Sequence, residues 1–169
     1  AYPWVAAALQ SSNRPLLDLG CGAGQLAGYL RASGHSAPIL GIDVDTKKIQ
    51  IAKSVLPSCQ FEVGDARNLP VHSGDVVMLD VLHYFDPDQR RKLLFAIADR
   101  VAPDGMAILR VTLKDASWRF TMTRMEEWFV RFSGWIPFPS VGFPERQELE
   151  SVARESGLTT TILPMWGVT

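Results

Sequence analysis

The sequence predicts an α/β protein built on a doubly wound, mostly parallel sheet with helices on both faces. Three observations predict it. Five short apolar runs recur along the chain, helically spaced segments separate several of them, and the first run ends in a glycine-rich loop that opens a helix. At 169 residues and 47% hydrophobic, residues 1–169 are expected to form one domain with its own core.

The apolar runs are Pro15 to Leu19, Pro38 to Asp43, Cys59 to Val63, Asp75 to Asp80 and Met106 to Thr112, read as strands. Strands of a parallel sheet that are buried on both faces read as apolar segments. Leu26, Ala27 and Leu30 mark a first helix, and Ile49, Ala52 and Lys53 lie on a second. Leu93, Leu94, Ile97, Ala98 and Val101 step by three and four along a third. Asp86 caps that helix, Pro87 fits a first turn that needs no N–H, and Asp88 suits the positive end of the dipole. Arg100 is expected in its last turn, before the turn Pro103-Asp104-Gly105. A further helix starts near Pro144-Glu145-Arg146, turns Leu149, Val152 and Ala153 inward, and stops at Gly157.

Leu158 to Leu163 is expected to be a strand. Trp166 to Thr169 is too short for a closing antiparallel strand, so the C-terminal sheet is expected to be incomplete, the chain either continuing or ending unpaired. The first residue is not methionine, which suggests a cropped or processed start.

Seventeen basic residues against eighteen acidic, for a net charge of -1, give no overall bias toward nucleic acid, and no such partner is expected. Cys21 and Cys59 lack C-x-x-C spacing and read as apolar fillers in a reducing compartment. No run approaches the ~20 residues of a membrane span, and Ala1 to Leu9 lacks the basic start of a signal peptide. A cytoplasmic protein is expected, without a metal site, since no ligand spacing stands out.

Ligands of such sheets settle beyond the carboxyl ends of the strands, so the residues there carry the functional reading. Gly20, Gly22 and Gly24 follow the first strand and allow positive φ and close approach to the backbone. Gly22 to Ala27 matches the G-x-G-x-x-G/A dinucleotide fingerprint, but the apolar run ends by Leu19, too early for that register. Asp18 lies within the strand, where a buried carboxylate is costly unless loop N–H groups or a cationic ligand satisfy it. Asp43 ends the second strand, where a carboxylate can accept from a ribose diol. Asp45 fits a helix cap better.

Asp18-x-Gly20-x-Gly22-x-Gly24, Gly41-Ile42-Asp43-Val44-Asp45, Gly64-Asp65-Ala66 with Asn68-Leu69-Pro70, and Asp75 through Phe85 occur in that order. Together they resemble the motifs of class I S-adenosylmethionine-dependent methyltransferases, over residues 14–112. The resemblance implies a Rossmann-like methyltransferase fold and S-adenosylmethionine as cofactor. It implies that Asp18, Gly20, Cys21, Gly22 and Gly24 surround the methionine portion, Asp43 and Val44 the ribose, and Asp65 and Ala66 the adenine, with Leu79 and Asp80 beside them. Asp80 could instead cap the turn that follows. Asp104 stands where that family commonly has glycine, with no functional cost expected.

Methyl transfer from a sulfonium needs positioning more than acid–base help. His83 is the candidate general base, just after the strand that borders the cofactor's methyl end, with packing or ligand contact as its other readings. Tyr84 is a substrate candidate, while His35 and His72, in polar loops, are expected to be solvated.

Residues 117–143 hold Trp118, Phe120, Trp128, Phe129, Phe132, Trp135, Phe138 and Phe143, half of the chain's aromatics. This aromatic-rich insert after the fifth strand is read as a lid, with Trp118, Met122 and Trp128 as substrate contacts. Packing on the sheet and docking on a membrane surface are its other readings. The expected function is methylation of a small, apolar or lipid-like acceptor at oxygen, nitrogen or carbon. An NAD-dependent oxidoreductase and a non-catalytic S-adenosylmethionine-binding protein are the alternatives.

Overall fold

The computed structural model describes residues 1–113 and 142–164. The chain begins with α1 (Tyr2–Ala8), followed by β1 (Leu16–Leu19), α2 (Gln25–Ala32), β2 (Ile39–Asp43), α3 (Thr46–Val55) and β3 (Gln60–Val63). β4 (Asp75–Leu79), a 3₁₀ turn (Leu82–Tyr84), α4 (Pro87–Ala98), β5 (Ala107–Arg110) and α5 (Arg146–Glu155) complete the described elements. The five strands pair in the order β3-β2-β1-β4-β5, all parallel.

Alternation along the strands builds two cores. Leu16 of β1 and Val77 of β4 face a cluster with Leu9, Leu26, Leu30, Ile49 and Phe61, supplied by α1, α2, α3 and β3. Leu17, Leu19, Val76 and Met78 face the other way, onto Leu93, Leu94 and Ile97 of α4 and Val152 of α5. Each large side chain buried this way contributes ~1.5–3 kcal/mol. Cys21 and Cys59 are buried, free thiols, as fillers should be.

Local chemistry sets the helix starts. Asp45 caps α3 by accepting from Lys47 N at 2.9 Å and Lys48 N at 3.2 Å. Asp86 caps α4 in a reciprocal box with Gln89. α4 stops at Ala98, so Arg100 lies beyond its last turn, donating from Nε to the Pro70 carbonyl at 2.9 Å. At the amino ends of the strands, Asp75 is fully buried and satisfied: Ser12 Oγ donates to Oδ2 and Met106 N to Oδ1 at 2.9 Å.

The structure departs from the sequence reading elsewhere too. Residues 158–164 form no strand; they are mostly exposed, and a strand needs a ladder partner that the described residues do not supply. His35 and His72 are half-buried rather than solvated, and burial lowers the pKa of both. The His72 Nε2 lies 3.0 Å from the Asp75 carbonyl. Within Ala1 to Leu9, read only as apolar, Tyr2–Ala8 form the helix α1.

Candidate functional site

Strand order reverses direction at β1: the chain winds outward to β2 and β3, then returns to place β4 on the other side of β1. Leu19 pairs with Met78 at this switch point, so the loops after β1 and β4 part side by side and leave a crevice. A pocket of about 160 Å³ lies there, lined by Tyr2, Asp18, Gly20, Cys21, Gly22, Gln25, Leu26, Leu79, Asp80 and Arg110.

The β1 loop is held open by its backbone. Gly20, Gly22 and Gly24 all take left-handed φ, at 76°, 56° and 83°. A Cβ on Gly20 would come within 2.4 Å of the Val81 side chain, so a bare backbone is required where the two loops meet. Gly24 is the N-cap of α2 and offers no side-chain bond to the first N–H groups of that helix.

Asp18 is 3% exposed, and its Oδ2 has no hydrogen-bond partner among the described residues. Burial, and secondarily the Asp43 carboxylate, push its pKa up to about 7. The contrast with Asp75 is instructive: both are buried acids of neighbouring strands, yet of the two only Asp18, on the pocket rim, has an oxygen without a hydrogen-bond partner among the described residues. Burial first, then Asp18 and Asp43, also push the Cys21 thiol up, so it stays neutral and unreactive.

Asp43 closes β2 and accepts from Gly22 N and Asp45 N, each at 2.9 Å. It thereby abuts the pocket through the glycine loop. Val44 is exposed beside it. Asp65, after β3, is held by Arg67, whose Nε donates to both carboxylate oxygens at 3.0 and 2.9 Å. That pairing lowers its pKa. Ala66 packs at the margin of the α4-side core. Asp80 does not cap the 3₁₀ turn, whose N-cap is Val81. Instead it takes a left-handed φ of 57° and pairs with the Arg110 guanidinium.

The 3₁₀ turn after Asp80 carries His83 and Tyr84, their rings 4.1 Å apart. Burial holds the His83 pKa below the usual range, which favours its neutral form. Phe143 lies 6.0 Å from the His83 ring, and Gly142 N donates to the His83 carbonyl at 3.3 Å. Arg90 secures this return segment, donating to Phe85 O and Gly142 O, each at 3.0 Å, and pairing with Glu148 at 2.9 Å.

Of the residues expected from the sequence, Asp18, Gly20, Cys21, Gly22, Leu79 and Asp80 share the pocket, and Asp43 is tied to it. Gly24, Val44, Asp65, Ala66, His83 and Tyr84 are not among its lining residues. Trp118, Met122 and Trp128 lie outside the described residues; of the eight aromatics of the insert, only Phe143 is within them. Tyr2, Gln25, Leu26 and Arg110 also line the pocket, none of them expected as a site residue. For Arg110 a signal was present: a charge inside the apolar run Ala107-Ile108-Leu109-Arg110-Val111, the same irregularity that marked Asp18.

Residues 16–105 match the model of a family described as a methyltransferase domain. The chain is 28% identical over 131 residues to the demethylmenaquinone methyltransferase of Thermotoga maritima, covering 77% of this chain and 56% of that protein. It is 39% identical over 99 residues to the trans-aconitate 2-methyltransferase of Escherichia coli, covering 58% and 38%. The chain thus spans about half or less of the length of these relatives. Among solved structures, magnesium protoporphyrin IX methyltransferase from Synechocystis, with bound SAH, superposes with a TM-score of 0.71 at 20% identity, covering 92% of this chain and 71% of that one.

Proposed function

The chain belongs to the class I S-adenosylmethionine-dependent methyltransferase family, and on that premise we propose that it methylates a small, largely apolar or lipid-like acceptor. One observation carries the cofactor part of this reading. A buried carboxyl with an unpaired oxygen, on Asp18, faces a loop of bare backbone in the same pocket. A zwitterionic, sulfonium-bearing cofactor fits both halves of that arrangement, because Asp18 can receive its ammonium while loop N–H groups meet oxygen acceptors. Asp43 would accept from the ribose hydroxyls, and Asp65 would face the adenine edge.

When bound, the cofactor supplies a methyl carbon that is already electrophilic. The protein's part is therefore to hold, align and exclude water. Gly20 and Gly22 give close backbone approach, and Leu79 and Leu26 provide apolar walls. His83, whose neutral form burial favours, would take a proton from an acceptor that loses one on attack. Residues 117–143 would cover the acceptor, and their aromatic content supports an apolar one. A relative whose name specifies demethylmenaquinone is consistent with that choice.

The NAD reading loses its footing because β1 ends at Leu19, three residues before the first glycine of the dinucleotide register. Calorimetry on the full-length protein tests the cofactor: S-adenosylhomocysteine should bind and NADH should not. Transfer of label from methyl-tritiated cofactor into a metabolite extract then distinguishes turnover from mere cofactor binding. Binding without any transfer would leave a sensor rather than an enzyme.

A further inference from the structure

Arg110 is the last residue of β5, register-paired with Leu79, and its carbonyl accepts from Asp80 N at 2.9 Å. Arg110 lines the same pocket as Asp18 and the glycine loop, and its guanidinium pairs with the Asp80 carboxylate. We propose that Arg110 anchors an oxyanion group, such as a carboxylate, on the methyl acceptor. The proposal deepens the methyltransferase reading and rests on it: the acceptor would be an apolar body bearing an anionic group.

Four physical points lead there. First, Arg110 interrupts the otherwise apolar run Ala107-Ile108-Leu109 at the end of a partly buried strand, a break in pattern that packing does not call for. Second, stability does not call for it either. The Asp80–Arg110 side chains are 40% and 35% exposed, and exposed pairs contribute ~0–1 kcal/mol. Third, a guanidinium offers five N–H donors in a planar fork, and one carboxylate engages at most two of them. Asp80 is its side-chain hydrogen-bond partner among the described residues, so donors remain for a second oxyanion.

The fourth point is position. The sheet order places Asp43 at the end of β2, the glycine loop after β1, Asp80 after β4 and Arg110 at the end of β5. From β2 to β5 is three strand spacings, roughly 14 Å. If ribose is held at β2 and the amino-acid portion at β1, the β5 end lies on the far side, where the acceptor must approach. The 3₁₀ turn that carries His83 begins two residues after Asp80, the residue paired with Arg110. A cation there recognises an anionic acceptor and, through a fork of donors, orients it.

The test divides a cell metabolite extract by anion exchange at neutral pH, before reaction, into retained and unretained pools. Full-length protein receives each pool with methyl-tritiated S-adenosylmethionine. Label should enter material from the retained pool. Arg110→Gln should lose transfer at least tenfold, recover part of it at higher pool concentration, and bind S-adenosylhomocysteine within twofold of wild type. Arg110→Lys should fall between the two. The inference is overturned if label comes from the unretained pool alone, or if Arg110→Gln transfers like wild type. It is also overturned if Arg110→Gln loses S-adenosylhomocysteine, since Arg110 would then serve the cofactor. No transfer from either pool by a wild-type protein that binds S-adenosylhomocysteine would overturn the methyl-transfer reading itself, and this inference with it.

Discussion

Gly22 and Asp43 are joined by a hydrogen bond, N–H to Oδ2 at 2.9 Å, that ties the loop after β1 to the end of β2. The second oxygen of Asp43 accepts from Asp45 N at 2.9 Å, so two backbone donors fix the plane of the carboxylate. A carboxylate has about four lone-pair positions, leaving two for a diol. Asp43→Ala should therefore weaken S-adenosylhomocysteine binding at least about tenfold, or ~1.4 kcal/mol. Unchanged affinity in a folded variant would show that the ribose is held elsewhere.

Asp18 gives the protein a pH signature. Its carboxyl is pushed up to about 7 in the folded state, against 3.8 for the free side chain. Between those values the native state holds more protons than the unfolded one, so stability falls as pH rises from about 4 through 7. Asp18→Asn removes that penalty. The variant should be more stable than wild type at pH 8, by on the order of 1–3 kcal/mol, with the advantage fading toward pH 4. Urea titrations at both pH values measure this directly.

The same group predicts proton-linked ligand binding. An ammonium beside Asp18 favours its ionised form, so at pH 6 S-adenosylhomocysteine should bind with release of a proton. Isothermal titration in two buffers of different ionisation enthalpy reads the number released. If the apparent enthalpy is the same in both, Asp18 does not meet the ammonium.

Arg90 should be the costliest single residue of the α4–α5 contact. Its side chain is 5% exposed, its Nε and Nη2 donate to the two Glu148 oxygens at 2.9 and 3.2 Å, and its Nη1 meets two carbonyls. Removing one partner of a buried pair strands the other, typically at ~3–5 kcal/mol. Arg90→Met should lower the urea midpoint accordingly, while Arg90→Met with Glu148→Leu should recover much of the loss. A single variant as stable as wild type would mean that Glu148 simply turns to solvent.

How far the sequence reached follows from what each signal depends on. Strand-end acids stood out because a carboxylate in an apolar run is a local irregularity; Asp18 lines the crevice, and Asp43 is hydrogen-bonded to the glycine loop beside it. The capping of α3 by Asp45 and of α4 by Asp86 was equally local. Tyr2 was not legible, because its place at the pocket depends on α1 packing against α2, where its ring lies 5.9 Å from that of Tyr29. His72 looked solvated among polar neighbours; only the fold brings its ring to the Asp75 carbonyl. Leu158 to Leu163 has a strand's composition, but pairing is a property of two segments.

Asp104 provides the last test, at the turn into β5. It stands where the related family commonly carries glycine, and its φ of 60° is the left-handed conformation that glycine enters freely. Aspartate tolerates that region better than most residues, but at some cost in strain. Against this, a glycine adds conformational freedom to the unfolded chain, which offsets part of the gain. The net effect of Asp104→Gly should be a stabilisation of up to about 1 kcal/mol. Because Asp104 precedes the amino end of β5 and is not among the pocket-lining residues, S-adenosylhomocysteine affinity should not change. A fall in stability would mean that the aspartate holds the turn through its side chain, and that the family's glycine was replaced for structural gain.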